Sequence, residues 1–158
     1  MTTIHHTYYD SPVGRLLLTA ADTHLTGLWF DARGRAPGEL DETRFTRVIA
    51  QLDEYFAGDR KEFDIELQPE GSPFQLRVWN ALRAIPYGTT TSYGAVARRI
   101  GQPTASRAVG LANGKNPIAI IVPCHRVIGA DGSLTGYGGG LDRKRFLLAL
   151  EARDQRLV

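Results

Sequence analysis

The chain has 158 residues and a mass of 17.4 kDa, which suits one compact domain or two small ones sharing an interface. Apolar residues make up 42% and charged residues 23%, enough to build a core and to exclude global disorder. The net charge of +2 conceals an asymmetry: residues 1–71 hold 7 Lys/Arg and 13 Asp/Glu, whereas residues 72–158 hold 12 and 4. Either the basic half meets a polyanion, or the two halves neutralise each other.

The N-terminus has no basic stretch followed by an apolar run, so no signal peptide is expected. Ser11-Pro-Val-Gly14 is a turn signal. Arg15–Ala21 and Leu25–Asp31 read as strands of an antiparallel meander, and 32–40 as a Gly/Pro-rich loop. Asp41 caps a helix to about Ala57, with Phe45, Val48, Ile49, Leu52, Tyr55 and Phe56 on its apolar side, and Gly58 ends it. Phe63–Leu67 alternates and reads as an edge strand. The Pro- and Gly-bearing 68–71 stretch marks a boundary, giving domains 1–71 and 72–158.

Ser72-Pro73 opens a helix carrying Phe74, Val78, Ala81, Leu82 and Ile85, and Pro86-Tyr-Gly88 stops it. Two short helical repeats follow, Tyr93/Val96/Ala97/Ile100 and Ala105/Ala108/Val109/Ala112. Gly101-Gln-Pro103 separates them and Asn113-Gly114 closes the second. This is a helix-turn-helix pattern whose second helix exposes Ser106, Arg107 and Lys115. The plainer alternative is a helical hairpin within a core.

Ile118–Val122, bounded by Pro117 and Pro123, is the longest aliphatic run and far too short to span a bilayer, so a soluble, cytoplasmic protein is expected. The run reads as a buried strand or extended segment delivering Pro123-Cys-His-Arg-Val127. Cys124 is the single cysteine, which excludes an intramolecular disulfide and Cys-rich zinc sites. A lone cysteine serves either as a small buried hydrophobe or as a nucleophile. Pro123 stiffens its backbone, His125 and Arg126 favour thiolate, and a Gly-rich loop, 136–140, follows. On extended backbone His125 points away from Cys124 and would act through a water. A histidine base also needs an orienting acceptor, for which Asp131, Asp142 and Glu151 are candidates. Glu151 shares the face of Leu147 and Leu148 on a helix over 141–152 and turns inward, either to His125 or to a cation such as Lys144.

Ile121-Val-Pro-Cys-His-Arg-Val127 resembles the active-site motif of the O6-alkylguanine-DNA alkyltransferases, also called methylated-DNA–protein-cysteine methyltransferases, of bacterial type. The resemblance extends through Ser92-Tyr-Gly94, Arg107-Ala-Val-Gly110, Asn116-Pro117 and Tyr137-Gly-Gly-Gly-Leu141 to Glu151, and more weakly to Ser11-Pro-Val-Gly14. It implies an α+β fold: a small N-terminal antiparallel sheet with a helix, ribonuclease H-like, and a helical, winged-helix-like C-terminal domain. It implies DNA repair by direct reversal, in which an alkyl group passes irreversibly from O6 of guanine, and from O4 of thymine, to Cys124.

In that reading His125 takes the thiol proton, Glu151 holds its tautomer, Asn116 braces the loop and Tyr93 protonates the leaving guanine. The base must be flipped out of the duplex. Arg107 fills the vacated space, and Ala105, Ser106 and Tyr93 meet the DNA backbone from the minor groove. Val127, Tyr137, Gly138 and Gly139 line the base pocket. No cofactor, metal or membrane is implied, and the protein is expected to be a monomer that clusters along DNA. Gly138 departs from the serine or alanine of many relatives, which suggests a looser pocket. His5, His6 and His24 alone make no convincing zinc site. Three rivals are a non-catalytic alkyltransferase-like protein, which would lack Cys124, a helix-turn-helix regulator, and a cysteine hydrolase.

Overall fold

Gly14 takes φ 105°, the left-handed geometry of a tight reversal, and folds β1 (Ile4–Ser11) back on β2 (Gly14–Ala21). The structure is a computed structural model that describes residues 3–32 and 34–156; Arg33 of the expected 32–40 loop, and the outermost ends of the two expected domains, lie outside the described residues. Two compact units are formed, Met1–Glu70 and Gly71–Val158.

In the first unit β3 (His24–Phe30) pairs antiparallel with β2, and β4 (Glu39–Leu40) pairs parallel with β1, giving the order β3-β2-β1-β4. The last two residues of the expected 32–40 loop are therefore a strand. Asp41 caps a 3-10 turn, Glu42–Phe45, before α1 (Thr46–Phe56) begins. α1 buries Val48, Gln51, Leu52 and Tyr55, an i, i+3, i+4, i+7 stripe. Tyr9 of β1 stacks on Phe56 and donates to Asp53 at 2.6 Å, fastening helix to sheet. Val48, Leu52 and Tyr55 form the core with Leu16, Leu18 and Leu28, each fully buried leucine contributing roughly 1.5–3 kcal/mol.

The expected strand at Phe63–Leu67 is reduced to one bridge between Leu67 and Leu25. Gln51 explains why: its amide donates to Asp64 O at 3.2 Å and accepts from Asp64 N at 2.9 Å. The backbone groups that a ladder needs are thereby used by a side chain.

The second unit starts with a capping box. Ser72 accepts from Gln75 N at 3.2 Å while Gln75 accepts from Ser72 N at 2.9 Å, launching α2 (Pro73–Arg83). Ser92 caps α3 (Tyr93–Arg99), which runs through a turn with Gly101 at φ 79° into α4 (Ser106–Gly114). Trp79 of α2 donates to Ala112 O at 2.8 Å and ties the helix pair down. A short parallel pair, β5 (Thr91–Ser92) with β6 (Val127–Ile128), and α5 (Leu141–Arg156) complete the unit. No described helix is long and apolar enough to cross a membrane.

The expected extended segment at Ile118–Val122 is instead a buried turn. Val122 N donates to Ile118 O at 3.0 Å and Ile121 N to Ala119 O at 2.8 Å, and Ile120 sits at φ 71°. A β-branched residue reaches that left-handed region only where its surroundings hold it there. Cys124–Arg126 is likewise a 3-10 turn, so the expected alternation of Cys124 and His125 across an extended strand does not apply.

Candidate active site

The Cys124 turn is held from α4 and the residues just after it. Asn116 accepts from Ile118 N at 3.0 Å and donates to Val122 O at 2.8 Å, closing the turn at both ends. Asn113, on the buried face of α4, donates to Cys124 O at 3.4 Å. Cys124 itself is 5% exposed. Burial pushes its thiol pKa up, while Asn116, the Lys144 charge and Tyr137 pull it back toward ionisation.

His125 is fully buried, and its Nε2 lies 2.7 Å from Glu151 Oε2. An ionised carboxylate only accepts, so Nε2 carries the proton and Nδ1 is the lone-pair nitrogen. Nδ1 is buried and has no hydrogen-bond partner among the described residues. Burial lowers the His125 pKa and the Glu151 bond opposes it, which leaves a neutral imidazole.

Glu151 meets more than His125. Arg126 donates Nε to Oε1 at 2.8 Å and Nη2 to Oε2 at 3.0 Å. Burial alone would raise the Glu151 pKa, but the bonds and charges of His125 and Arg126 outweigh it and bring it to about 2. Of the two partners considered for Glu151, His125 is bound. Lys144 instead donates to Val127 O at 2.6 Å and Thr135 O at 2.8 Å. Asp131 and Asp142 are exposed and bond to Ser133 and Arg145.

Val127 is fully buried at the start of β6. Tyr137 lies with its ring centroid 6.0 Å from Lys144 Nζ; burial and the neighbouring Cys124 keep its phenol protonated. A Cβ added at Gly138 would stand 3.6 Å from Gly114 O, an ordinary contact. Gly139 O accepts from Arg143 at 3.2 Å. Tyr93 is half-buried, its hydroxyl 3.1 Å from Thr135 Oγ1, and its ring is the nearest neighbour a Cβ at Gly110 would meet. Ala105 and Ser106 are half-buried, and no side chain caps the first turn of α4. Arg107 is exposed, and Leu111, one turn on, is 70% exposed.

Three residues escaped the sequence reading in these roles: Arg126 as the bidentate partner of Glu151, Asn113, and Lys144 as a tie between backbone segments. Lys144 had a signal, because Lys144, Leu147 and Glu151 form one buried i, i+3, i+7 stripe. Arg126 had none, since its target lies 25 residues away.

Two family models match the chain: the 6-O-methylguanine DNA methyltransferase ribonuclease-like domain over residues 4–69 and the DNA binding domain of the same proteins over 73–153. The chain is 57% identical over 154 residues to a methylated-DNA–protein-cysteine methyltransferase of Mycolicibacterium paratuberculosis, covering 95% of this chain and 93% of that one. It is 52% identical to a protein of the same name from Methanosarcina acetivorans, covering 94% and 98%. Among solved structures, the O6-methylguanine methyltransferase of Mycobacterium tuberculosis superposes with a TM-score of 0.89 at 54% identity, covering 96% and 94%. A complex of the Mycobacterium tuberculosis protein with DNA gives 0.90 at 55%, covering 94% and 93%. With its buried Cys-His-Glu arrangement and both units matched, the chain belongs to the 6-O-methylguanine DNA methyltransferase family.

Proposed function

We propose that the chain removes the alkyl group from O6-alkylguanine, and from O4-alkylthymine, in duplex DNA and keeps it on Cys124. Membership of its family makes it a DNA-repair methyltransferase acting by direct reversal. One observation carries the residue assignment: Glu151 occupies His125 Nε2, leaving a buried, neutral Nδ1 on the residue next to the only thiol. His125 Nδ1 takes the thiol proton through a water molecule. The thiolate attacks the alkyl carbon, forming a C–S bond as the C–O6 bond breaks and its electron pair returns to the base. Tyr93 donates a proton to the departing guanine and later recovers one from solvent. Asn116 keeps the turn rigid beneath the sulfur.

The product is a thioether, whose C–S bond neither water nor a thiol readily cleaves, and Cys124 is the single cysteine of the sequence. One molecule therefore repairs one base. Because O6 lies within the base stack, the nucleotide is flipped out, and Val127, Tyr137 and the backbone of Gly138 and Gly139 line the space that receives it. Arg107 takes the vacated place in the stack. Ala105, Ser106 and the open first turn of α4 approach the backbone across the minor groove. The protein works in the cytoplasm, as a monomer that clusters along DNA.

The experiment is an intact mass after incubation with duplex containing O6-methylguanine, with Cys124→Ala as control. A single methyl adduct, located on Cys124 and absent from the control, supports the reading. Multiple turnover or no adduct defeats it.

A further inference from the structure

Lys144 is 0% exposed, and burying an ammonium costs free energy unless it is compensated. Its compensation here is unusual. Among the described residues it forms no ion pair; its partners are two backbone carbonyls, Val127 O and Thr135 O, and the Tyr137 ring. Around it the buried charges nearly cancel without it. Glu151 is neutralised by Arg126, and burial keeps His125 uncharged. Exposed Asp142 turns to Arg145, and Arg143 bonds Gly139 O. With Cys124 as a thiol, the cluster of Cys124, His125, Arg126, Lys144 and Glu151 therefore carries one uncompensated positive charge. With Cys124 as a thiolate it carries none.

Resting on the assignment of Cys124 as the acceptor, we propose that Lys144 is a positioning residue for the alkyl transfer. It fastens the Thr135 end of the pocket loop to β6, and its fixed ammonium balances the charge that forms on Cys124 sulfur. The two tasks come from one atom. Nζ is held by bonds to Val127, three residues after the nucleophile, and to Thr135, whose hydroxyl meets Tyr93. A cation kept in place this way needs no reorganisation when the thiolate appears. Burial lowers the Lys144 pKa and raises that of Cys124, and against it each charge favours the other: the Lys144 ammonium eases ionisation of Cys124, and the Cys124 thiolate favours the charged form of Lys144.

The test is the pH dependence of Cys124 alkylation by iodoacetamide, a small probe that needs no DNA. It is run on the full-length protein, on Lys144→Met, which keeps length and loses charge, and on Lys144→Arg. Met is expected to move the midpoint upward by about one pH unit, slowing alkylation below the midpoint roughly tenfold, with the rates converging at high pH. Arg is expected to restore most of the shift. An unchanged midpoint in Lys144→Met overturns the proposal, as does a uniform slowing at all pH values, because a purely structural tie predicts that. Should Lys144→Met not fold, Lys144→Gln, which also removes the charge but keeps polar hydrogen-bond donors, decides: a midpoint shifted upward supports the proposal and an unchanged one overturns it. If the wild-type protein accepts no methyl from DNA, the functional reading fails instead, and the iodoacetamide profile still reports on Lys144.

Discussion

Arg126 grips Glu151 with two hydrogen bonds, 2.8 Å from Nε to Oε1 and 3.0 Å from Nη2 to Oε2, and its Nη1 donates to Ile85 O at 2.7 Å. The carboxylate that orients His125 is thus itself oriented, and α2, the Cys124 turn and α5 meet at one buried knot. Removing a partner from such a pair costs more than the pair contributes, because the other charge stays buried. Glu151→Gln keeps the shape but leaves Arg126 uncompensated. It is expected to lose about 3–5 kcal/mol of stability and to slow methyl transfer by about a hundredfold or more. Urea unfolding and single-turnover kinetics on methylated duplex measure the two effects separately.

The same knot sets an acid limit. His125 has its folded pKa depressed below the ordinary 6.5, so the unfolded chain binds more protons, and stability falls as pH drops below 6.5. Glu151 is depressed from 4.5 to about 2, so its contribution is complete above 4.5 and is lost between 4.5 and 2. Thermal unfolding is expected to show a first decline starting near pH 6.5 and a second below 4.5. His125→Asn should flatten the first and leave the second present, which calorimetry across the pH range checks.

Gly138 is expected to tolerate serine structurally, since the added Cβ meets only Gly114 O at 3.6 Å. Its effect falls on the pocket. Gly138→Ser is expected to retain methyl transfer and to slow benzyl transfer more, changing the methyl-to-benzyl rate ratio several-fold. An unchanged ratio, measured with methyl- and benzyl-guanine in the same duplex, would remove Gly138 from the account of alkyl-group size.

Arg107 is exposed on α4 and its side chain forms no hydrogen bond or ion pair among the described residues. Arg107→Ala is expected to weaken duplex binding and, if the guanidinium neutralises a phosphate, to reduce the salt slope by about 0.9. If it fills the space of a flipped base instead, transfer from duplex should fall while the salt slope holds. Titrations at several salt concentrations separate the two roles. Alkylation of Cys124 by iodoacetamide is expected to be unchanged, because exposed Arg107 makes none of the hydrogen bonds that hold the Cys124 turn.

How far the residues could be read one by one follows from the range of their interactions. Ser72, Ser92 and Gly101 act within a few positions of themselves, so the helix starts and the turn between α3 and α4 are legible as local chemistry. Phe63–Leu67 and Ile118–Val122 carry strand-like patterns, yet Gln51 and Asn116 capture their backbone groups and leave no ladder to form. An alternation pattern reports which side chains are apolar; it does not report whether a side-chain amide competes for the peptide groups.

The sequence by itself determined the reactive group and its neighbours. Cys124 stands alone, Pro123 precedes it, His125 follows it, and an acid on an apolar helical stripe has to turn inward. All of these are consequences of covalent order and helical period. Only the tertiary structure decided that Glu151 serves His125 and Arg126 together while Lys144 ties Val127 to Thr135. Those pairings join residues up to 26 positions apart, and several cations compete for one carboxylate. Which cation wins depends on where α5 docks against the Cys124 turn, and that docking is set by packing over the whole unit rather than by any spacing along the chain.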